Sequence, residues 1–272
     1  MSDPRAQTLF RLRCAFVKHG RLAYLGHLEV LHTIERIVRR AGLPFAVTQG
    51  FSPHMRAGFA SALPVGTSSD AEYFDLFMTE FVPVPDALER LRAAAPIDLA
   101  PTAVCYIDVH APALTAAITR VMYRIAIDVA DGYDIAPERI DAAIAQLKEQ
   151  GSIPYERGRK HKVLDLASTL VSWKLSALSD GGLELTLDTH ISNDGSLRPE
   201  ILLSATDRLL LGCAEDEGPI VSTGIQNLRT IRRYAICRTA QYVEDADGSL
   251  LSPLRTDETP SAPKSVSSVP SL

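Results

Sequence analysis

Residues able to do chemistry gather in two stretches of this 272-residue chain. The first is the run from Tyr24 to Gly66, which carries His27, His32 and His54 with Arg36, Arg39, Arg40 and Arg56. Glu35 stands four residues before Arg39, the order that favours a surface ion pair on a helix, so Arg39 is already occupied. Arg36 and Arg40 have no acid at helical spacing. With His54 and Arg56 they form a set suited to phosphate contacts, and a solvated basic face is the competing reading. Gln49-Gly50-Phe51 could bring backbone amides to an anion with Phe51 as a stacking plate, or be a structural turn. His54, just after Pro53, reads as a phosphate or base contact or as a loop-stabilising hydrogen bond. His27 falls in the apolar arc of its helix, which favours a capping or core role over a general base. The second stretch is Arg157-Gly158-Arg159-Lys160-His161-Lys162, with four fixed positive charges in six residues. Such a basic hairpin tip suits a nucleic-acid backbone or an acidic partner.

No catalytic constellation accompanies these groups. Asp70, Glu72 and Asp75 alternate around a strand and make no acid/base pair. His19, His27 and His32 lack a cysteine or carboxylate at ligand spacing, so no metal and no cofactor are expected. Neither a phosphate-binding nor a dinucleotide-binding glycine pattern is present, and no nucleophile elbow occurs. Cys14, Cys105, Cys213 and Cys237 are scattered and read as small core residues. The close cysteine triplet that would hold a radical-SAM iron–sulfur cluster is missing.

The elements that must position these residues follow from periodicity. Leu9–Lys18 alternates Phe10, Leu12, Cys14 and Phe16 against Arg11, Arg13, Ala15 and Val17, which predicts a half-buried strand. Val30, Leu31, Ile34, Ile37, Val38 and Ala41 share one side of a helix from about residue 27 to 41, and Gly42 and Pro44 end it. Short strands are expected at Phe45–Thr48 and 57–63, another at Glu72–Thr79, a helix at Pro85–Ala95 and a strand at Thr102–Val109. That order is βαββαβ, the ferredoxin-like signature. In such a sheet Arg11 and Arg13 lie beside Tyr73, Asp75 and Phe77, where Asp75 neutralises an arginine and domain packing covers the face. The second half repeats the order more loosely, with strands at Val121–Val129, Ile153–Glu156, within Lys162–Leu178, at Leu183–Asp188 and at Arg232–Val243. Helices begin at Pro137 and Pro199.

The expected fold is therefore α+β, two ferredoxin-like halves with antiparallel sheets. Residues 1–115 make the first half, 116–243 the second, and 244–272 a disordered tail poor in apolar residues. A hydrophobic fraction of 46% and a charged fraction of 22% are those of a globular chain. No run of about 18 apolar residues and no leader pattern occurs, so no membrane partner and a cytoplasmic location are expected. The net charge of −5 argues against indiscriminate polyanion binding, but it hides an excess of basic over acidic residues within the first sixty, which allows a local basic face.

Tyr24-Leu25-Gly26-His27-Leu28-Glu29, Glu35-Arg36, Arg39-Arg40-Ala41-Gly42-Leu43-Pro44, Thr48-Gln49-Gly50-Phe51-Ser52-Pro53-His54, Leu63-Pro64-Val65-Gly66 and Glu72-Tyr73-Phe74-Asp75 form a distinctive series. It resembles the bacterial "radical SAM-linked protein" family, a domain of unknown function encoded beside or fused to a B12-binding-type radical SAM protein. Arg159-Lys160-His161-Lys162-Val163-Leu164-Asp165 and Gly195-Ser196-Leu197-Arg198-Pro199 are similar to that family's second half. Met55-Arg56-Ala57-Gly58 departs from the proline-plus-basic continuation expected there. The resemblance implies a radical SAM protein as partner, and with the basic stretches it leads to a non-catalytic, RNA-oriented accessory protein. Two alternatives are a pure protein-interaction subunit and a metal-independent nuclease of RAMP-like architecture. In the latter His27 or His54 would be the base and Arg36 and Arg40 would stabilise the phosphorane, but the glycine-rich loop of such nucleases is absent.

Overall fold

A computed structural model describes residues 8–254, apart from 134, 180, 192–194 and 213–217. The fold is mixed α+β and divides into two compact units. The first takes the described residues through Leu63, Asp70–Ile118 and those from Leu251. The second takes Pro64–Ser69 and Thr119–Leu250.

In the first unit the chain runs β1 (Phe10–Lys18), α1 (His27–Arg40), β2 (Ala57–Phe59), β3 (Ser68–Met78), α2 (Val84–Ala94), β4 (Pro101–Ile107) and the short α3 (Leu114–Ala117). β1 lies between β4 and β3, and β2 pairs with β3. The apolar stripe of α1, Val30, Ile34, Ile37 and Val38, is buried with Leu12, Cys14, Phe16, Phe74, Leu76, Met78 and Leu91. Burying side chains of this size stabilises by about 1.5–3 kcal/mol each relative to exposure. Phe45–Thr48 forms no strand. It contributes only the bridges Phe45↔Met78 and Val47↔Met55, because the turn chemistry of residues 49–54 breaks the ladder at once.

The turn leaving β1 depends on one glycine. Gly20 has φ +51°, and a Cβ there would lie 2.5 Å from the Asp98 carboxylate. Gly20→Ala is expected to cost about 1–2 kcal/mol, the left-handed penalty for an L-residue, as a lower urea midpoint at unchanged m-value.

In the second unit the order is β5 (Arg120–Val129), α4 (Pro137–Gln150), β6 (Ser152–Arg157), β7 (Lys160–Asp165), α5 (Leu166–Thr169), β8 (Leu170–Ala177), β9 (Leu183–His190), α6 (Pro199–Leu211), β10 (Ile220–Val221) and β11 (Ile231–Glu244), followed by β12 (Leu250–Leu251). Its main strands lie in the order β11-β5-β9-β8 with antiparallel neighbours. The strands expected around residues 153–156 and 162–165 do not join them. They form a hairpin in a separate sheet of order β10-β6-β7, packed on α4 and α6.

Two expectations are corrected here. The sheets are not purely antiparallel: β10 runs parallel to β6, and Ser68 and Ser69 pair in parallel with Cys237 and Arg238. The segment from 244 is not uniformly a loose tail. Asp245 and Ser249 close a turn, and Pro253 is buried with its carbonyl accepting from Arg13 at 3.0 Å. Residues 255–272 of that tail lie outside the described residues, as does Cys213.

Glu200, near the start of α6, is fully buried and meets Arg198 at 3.3 Å. Burial pushes its carboxyl up, and Arg198 and Arg157 only partly oppose this. The folded state therefore holds the proton more tightly than the unfolded chain, and stability falls as pH rises above the ordinary value of 4.5. Glu200→Gln is expected to raise the melting temperature by a few degrees at pH 7 and to change it little below about pH 4.5.

Candidate functional site

Helix α1 presents the first predicted residues. Gly26 caps it, its N–H donating to Glu29 Oε2 at 2.7 Å. On the polar face Glu35 stands 3.9 Å from Arg39, the expected pair, and 3.7 Å from His32. Arg39 also lies over the Phe45 ring at 5.9 Å. Arg36 donates to Thr33 Oγ1 at 2.9 Å, and Arg40 has no side-chain partner among the described residues. Both are exposed, one helical turn apart on the same side.

The loop after α1 is held at its base and free at its tip. Ala46 N–H donates to Phe77 O at 2.8 Å, Arg56 N–H to Ala46 O at 2.8 Å and Thr48 N–H to His54 O at 2.8 Å. His54 N–H donates in turn to Thr48 Oγ1 at 3.0 Å, and the His54 ring lies 3.2 Å from Ser52 Oγ. Gly50 has φ +134° and turns the chain, leaving Gln49 and Phe51 exposed. The Phe51 ring is fully in solvent, at 112% relative exposure. A free-standing aromatic on an anchored loop does nothing for the core.

Arg56 departs from that set. It is half-buried, with its guanidinium over the Phe77 ring at 4.3 Å. The first-unit residues thus form two groups: Gln49, Phe51 and His54 at the loop tip, and Arg36 and Arg40 on α1. Among the described residues no hydrogen bond or ion pair joins one group to the other.

The neighbouring sheet face is closed. Arg11 and Arg13, expected on one side of a half-buried strand, are each 5% exposed, so β1 is buried on both sides. Asp75 receives both: Arg11 Nη2 at 2.7 Å and Arg13 Nε at 2.7 Å. The remaining Arg11 donors go to the carbonyls of Val109, Ala111 and Pro112, and Arg13 Nη1 goes to Pro253. Burial holds the cysteines nearby in the thiol form. Burial pushes the Cys105 thiol up to about 11 and raises that of Cys14 as well.

Sequence reasoning missed a small cleft in this unit. It is lined by Lys18, His27, Phe59, Ser61, Glu72 and Tyr73, among others. Lys18 is only 2% exposed and donates to Ala23 O at 2.8 Å. His27 is not sealed in the core; it stands exposed at the start of α1, edge-on to Phe59 with centroids 6.0 Å apart. The available signal was that Tyr24–Glu29 and Glu72–Asp75, both in the distinctive series, each supply two lining residues.

In the second unit the basic run forms the tip of the β6–β7 hairpin, with Arg157 opposite Lys160 across Gly158 and Arg159. Arg157, Arg159, Lys160 and Lys162 are all exposed. None makes an ion pair or side-chain hydrogen bond among the described residues, whereas His161 reaches Glu156 at 3.2 Å. Among the described residues no three His, Cys, Asp or Glu side chains are grouped to hold a metal ion, and no helix is long and apolar enough to cross a membrane.

The family described as "Uncharacterized protein conserved in bacteria (DUF2344)" matches the chain over residues 11–199. No curated protein matches it. Similar solved structures are remote. A chain from a Cbf5-Nop10-Gar1 complex is 10% identical, with 90% of this chain and 56% of that chain covered at a TM-score of 0.45. A putative glycine cleavage system transcriptional repressor is 13% identical over 75% of this chain and 92% of its own, at a TM-score of 0.23. An unknown protein from Galdieria sulphuraria is 9% identical, with 75% and 92% covered, at a TM-score of 0.20.

Proposed function

This chain belongs to the uncharacterized bacterial family DUF2344, and from that premise we propose that it is a non-catalytic, RNA-oriented accessory protein of the cytoplasm that presents a substrate to a separate radical SAM enzyme. The observation that carries the reading is Phe51: a fully exposed ring on a loop anchored at Thr48 and His54. An unstacked base finds there a π-face, beside the Gln49 amide and the His54 ring. Arg36 and Arg40 are the exposed arginines on α1 without an acidic partner among the described residues, and they serve backbone phosphates. The radical SAM partner rests on the sequence resemblance.

The finer fold reading belongs with this proposal. Both units are read as ferredoxin-like, supported by the strand orders β4-β1-β3-β2 and β11-β5-β9-β8 with helices after the first and third strands. In the second unit the β6–β7 hairpin is then an insertion between α4 and β8. Single-stranded RNA binders of this architecture commonly use the open sheet face, which in the first unit the Arg11–Asp75–Arg13 cluster and its covering carbonyls occupy. That moves the contact to the loop.

The test is a mobility shift with single-stranded RNA, comparing wild type with an Arg36→Ala/Arg40→Ala/Phe51→Ala variant. The proposal expects a shift for wild type and at least about tenfold weaker binding for the variant. Equal binding by the two proteins, or no binding by either at low salt, refutes it.

A further inference from the structure

The β10-β6-β7 sheet ends at β7, which is paired on one side only, by β6. Among the described residues its other side is a row of backbone donors and acceptors without a strand. The two faces of this sheet differ. Ile153, Tyr155 and Leu164 are buried on the side packed against α4 and α6, and Lys160 and Lys162 share their alternation. Pro154, Val163 and Val221 alternate to the opposite side, where Glu156 and His161, paired at 3.2 Å, stand between Val221 and the Pro154–Val163 pair. There Pro154 is exposed, Val163 is 65% exposed and Val221 46% exposed.

Lysines on an edge strand commonly guard it against pairing. Guarding accounts for Lys160 and Lys162 but not for the exposed Pro154–Val163 pair on the other face. RNA backbone accounts for the cations, but phosphates use neither a strand edge nor exposed apolar residues, and this pair brings no aromatic ring to stack a base. An added strand uses all three features, since its side chains point alternately to the two faces.

We infer that β7 is the docking edge for an extended segment of a partner protein in which acidic and apolar residues alternate. The segment pairs with β7 by main-chain hydrogen bonds. Its carboxylates face Arg157, Arg159, Lys160 and Lys162, and its apolar residues cover Val163 and the neighbouring Pro154. This goes beyond the RNA reading, names the surface on which its protein partner would sit, and stands whether or not RNA binds at Phe51.

The experiment titrates the full chain into a fluorescein-labelled alternating glutamate–valine heptapeptide and follows amide exchange in the complex. Saturable binding is expected, with slowed exchange confined to residues 160–165. Binding should weaken at least about tenfold both in an Arg159/Lys160/Lys162→Ala variant and in Val163→Asp, whose exposed sites leave the fold intact. An isomer of the peptide with its glutamates grouped at one end should bind at least about tenfold more weakly, because only alternation matches the two faces. The inference is overturned if the alternating peptide does not saturate, or if the grouped isomer binds equally. It is also overturned if a single-stranded RNA, and not the peptide, protects residues 160–165. Since Phe51→Ala leaves the hairpin untouched, peptide binding by that variant separates failure here from failure of the RNA reading.

Discussion

Asp75→Asn is expected to lower the free energy of unfolding by about 3–5 kcal/mol, the largest loss from any exchange of a single polar side chain in the first unit. Asp75 is 1% exposed and accepts from both Arg11 and Arg13, with Arg11 Nη2 and Arg13 Nε each at 2.7 Å. Removing the carboxylate charge leaves two buried guanidiniums whose other donors are met only by backbone carbonyls. Carbonyl dipoles satisfy hydrogen bonds but do not cancel a charge. An Arg11→Met/Arg13→Met/Asp75→Leu triple variant should be far less damaging than Asp75→Asn, because it removes the charges together. Urea unfolding of both variants decides this. If Asp75→Asn costs under about 1 kcal/mol, the cluster is not the electrostatic keystone of the unit.

Phe51→Ala is expected to weaken single-stranded RNA binding by about tenfold or more, the loss of roughly 1–3 kcal/mol of base stacking. The thermal midpoint should not move, since the ring is fully exposed and packs on nothing. Phe51→Trp should bind as well as wild type or better, and its fluorescence should be quenched by RNA. Anisotropy titrations with the three proteins check this. Equal affinity for the alanine variant would leave the exposed ring without a role in RNA binding.

The helical part of this site was readable in the sequence because its determinants are local. The stripe of Val30, Ile34, Ile37 and Val38 fixes which side of α1 is buried, and the Glu35–Arg39 spacing fixes the ion pair. Gly50 and Pro53 marked the loop for the same reason. β1 was read as half-buried because alternation reports chemistry and not coverage. The alternate arginines are buried by Asp75, more than sixty residues away, and by Pro253, 240 residues from Arg13. The hairpin was legible as a hairpin, but nothing in its residues says that it leaves the main strands for a partner at Ile220 and Val221. Lys18 only closes the predicted first strand, and its burial in the cleft depends on the fold around Ala23 and Glu72. His27 shows the opposite error: helical periodicity assigns it to the apolar arc, but at the first turn it faces solvent.

The most direct test of the central claim is the affinity of the intact chain for single-stranded RNA measured at a series of salt concentrations. With Arg36 and Arg40 as the phosphate contacts, saturable binding should weaken with a log–log slope of about −1.4, two released counterions on a single strand. The Arg36→Ala/Arg40→Ala variant should bring that slope near zero while stacking on Phe51 persists. No saturable binding at low salt, or a slope unchanged in the variant, would contradict the account.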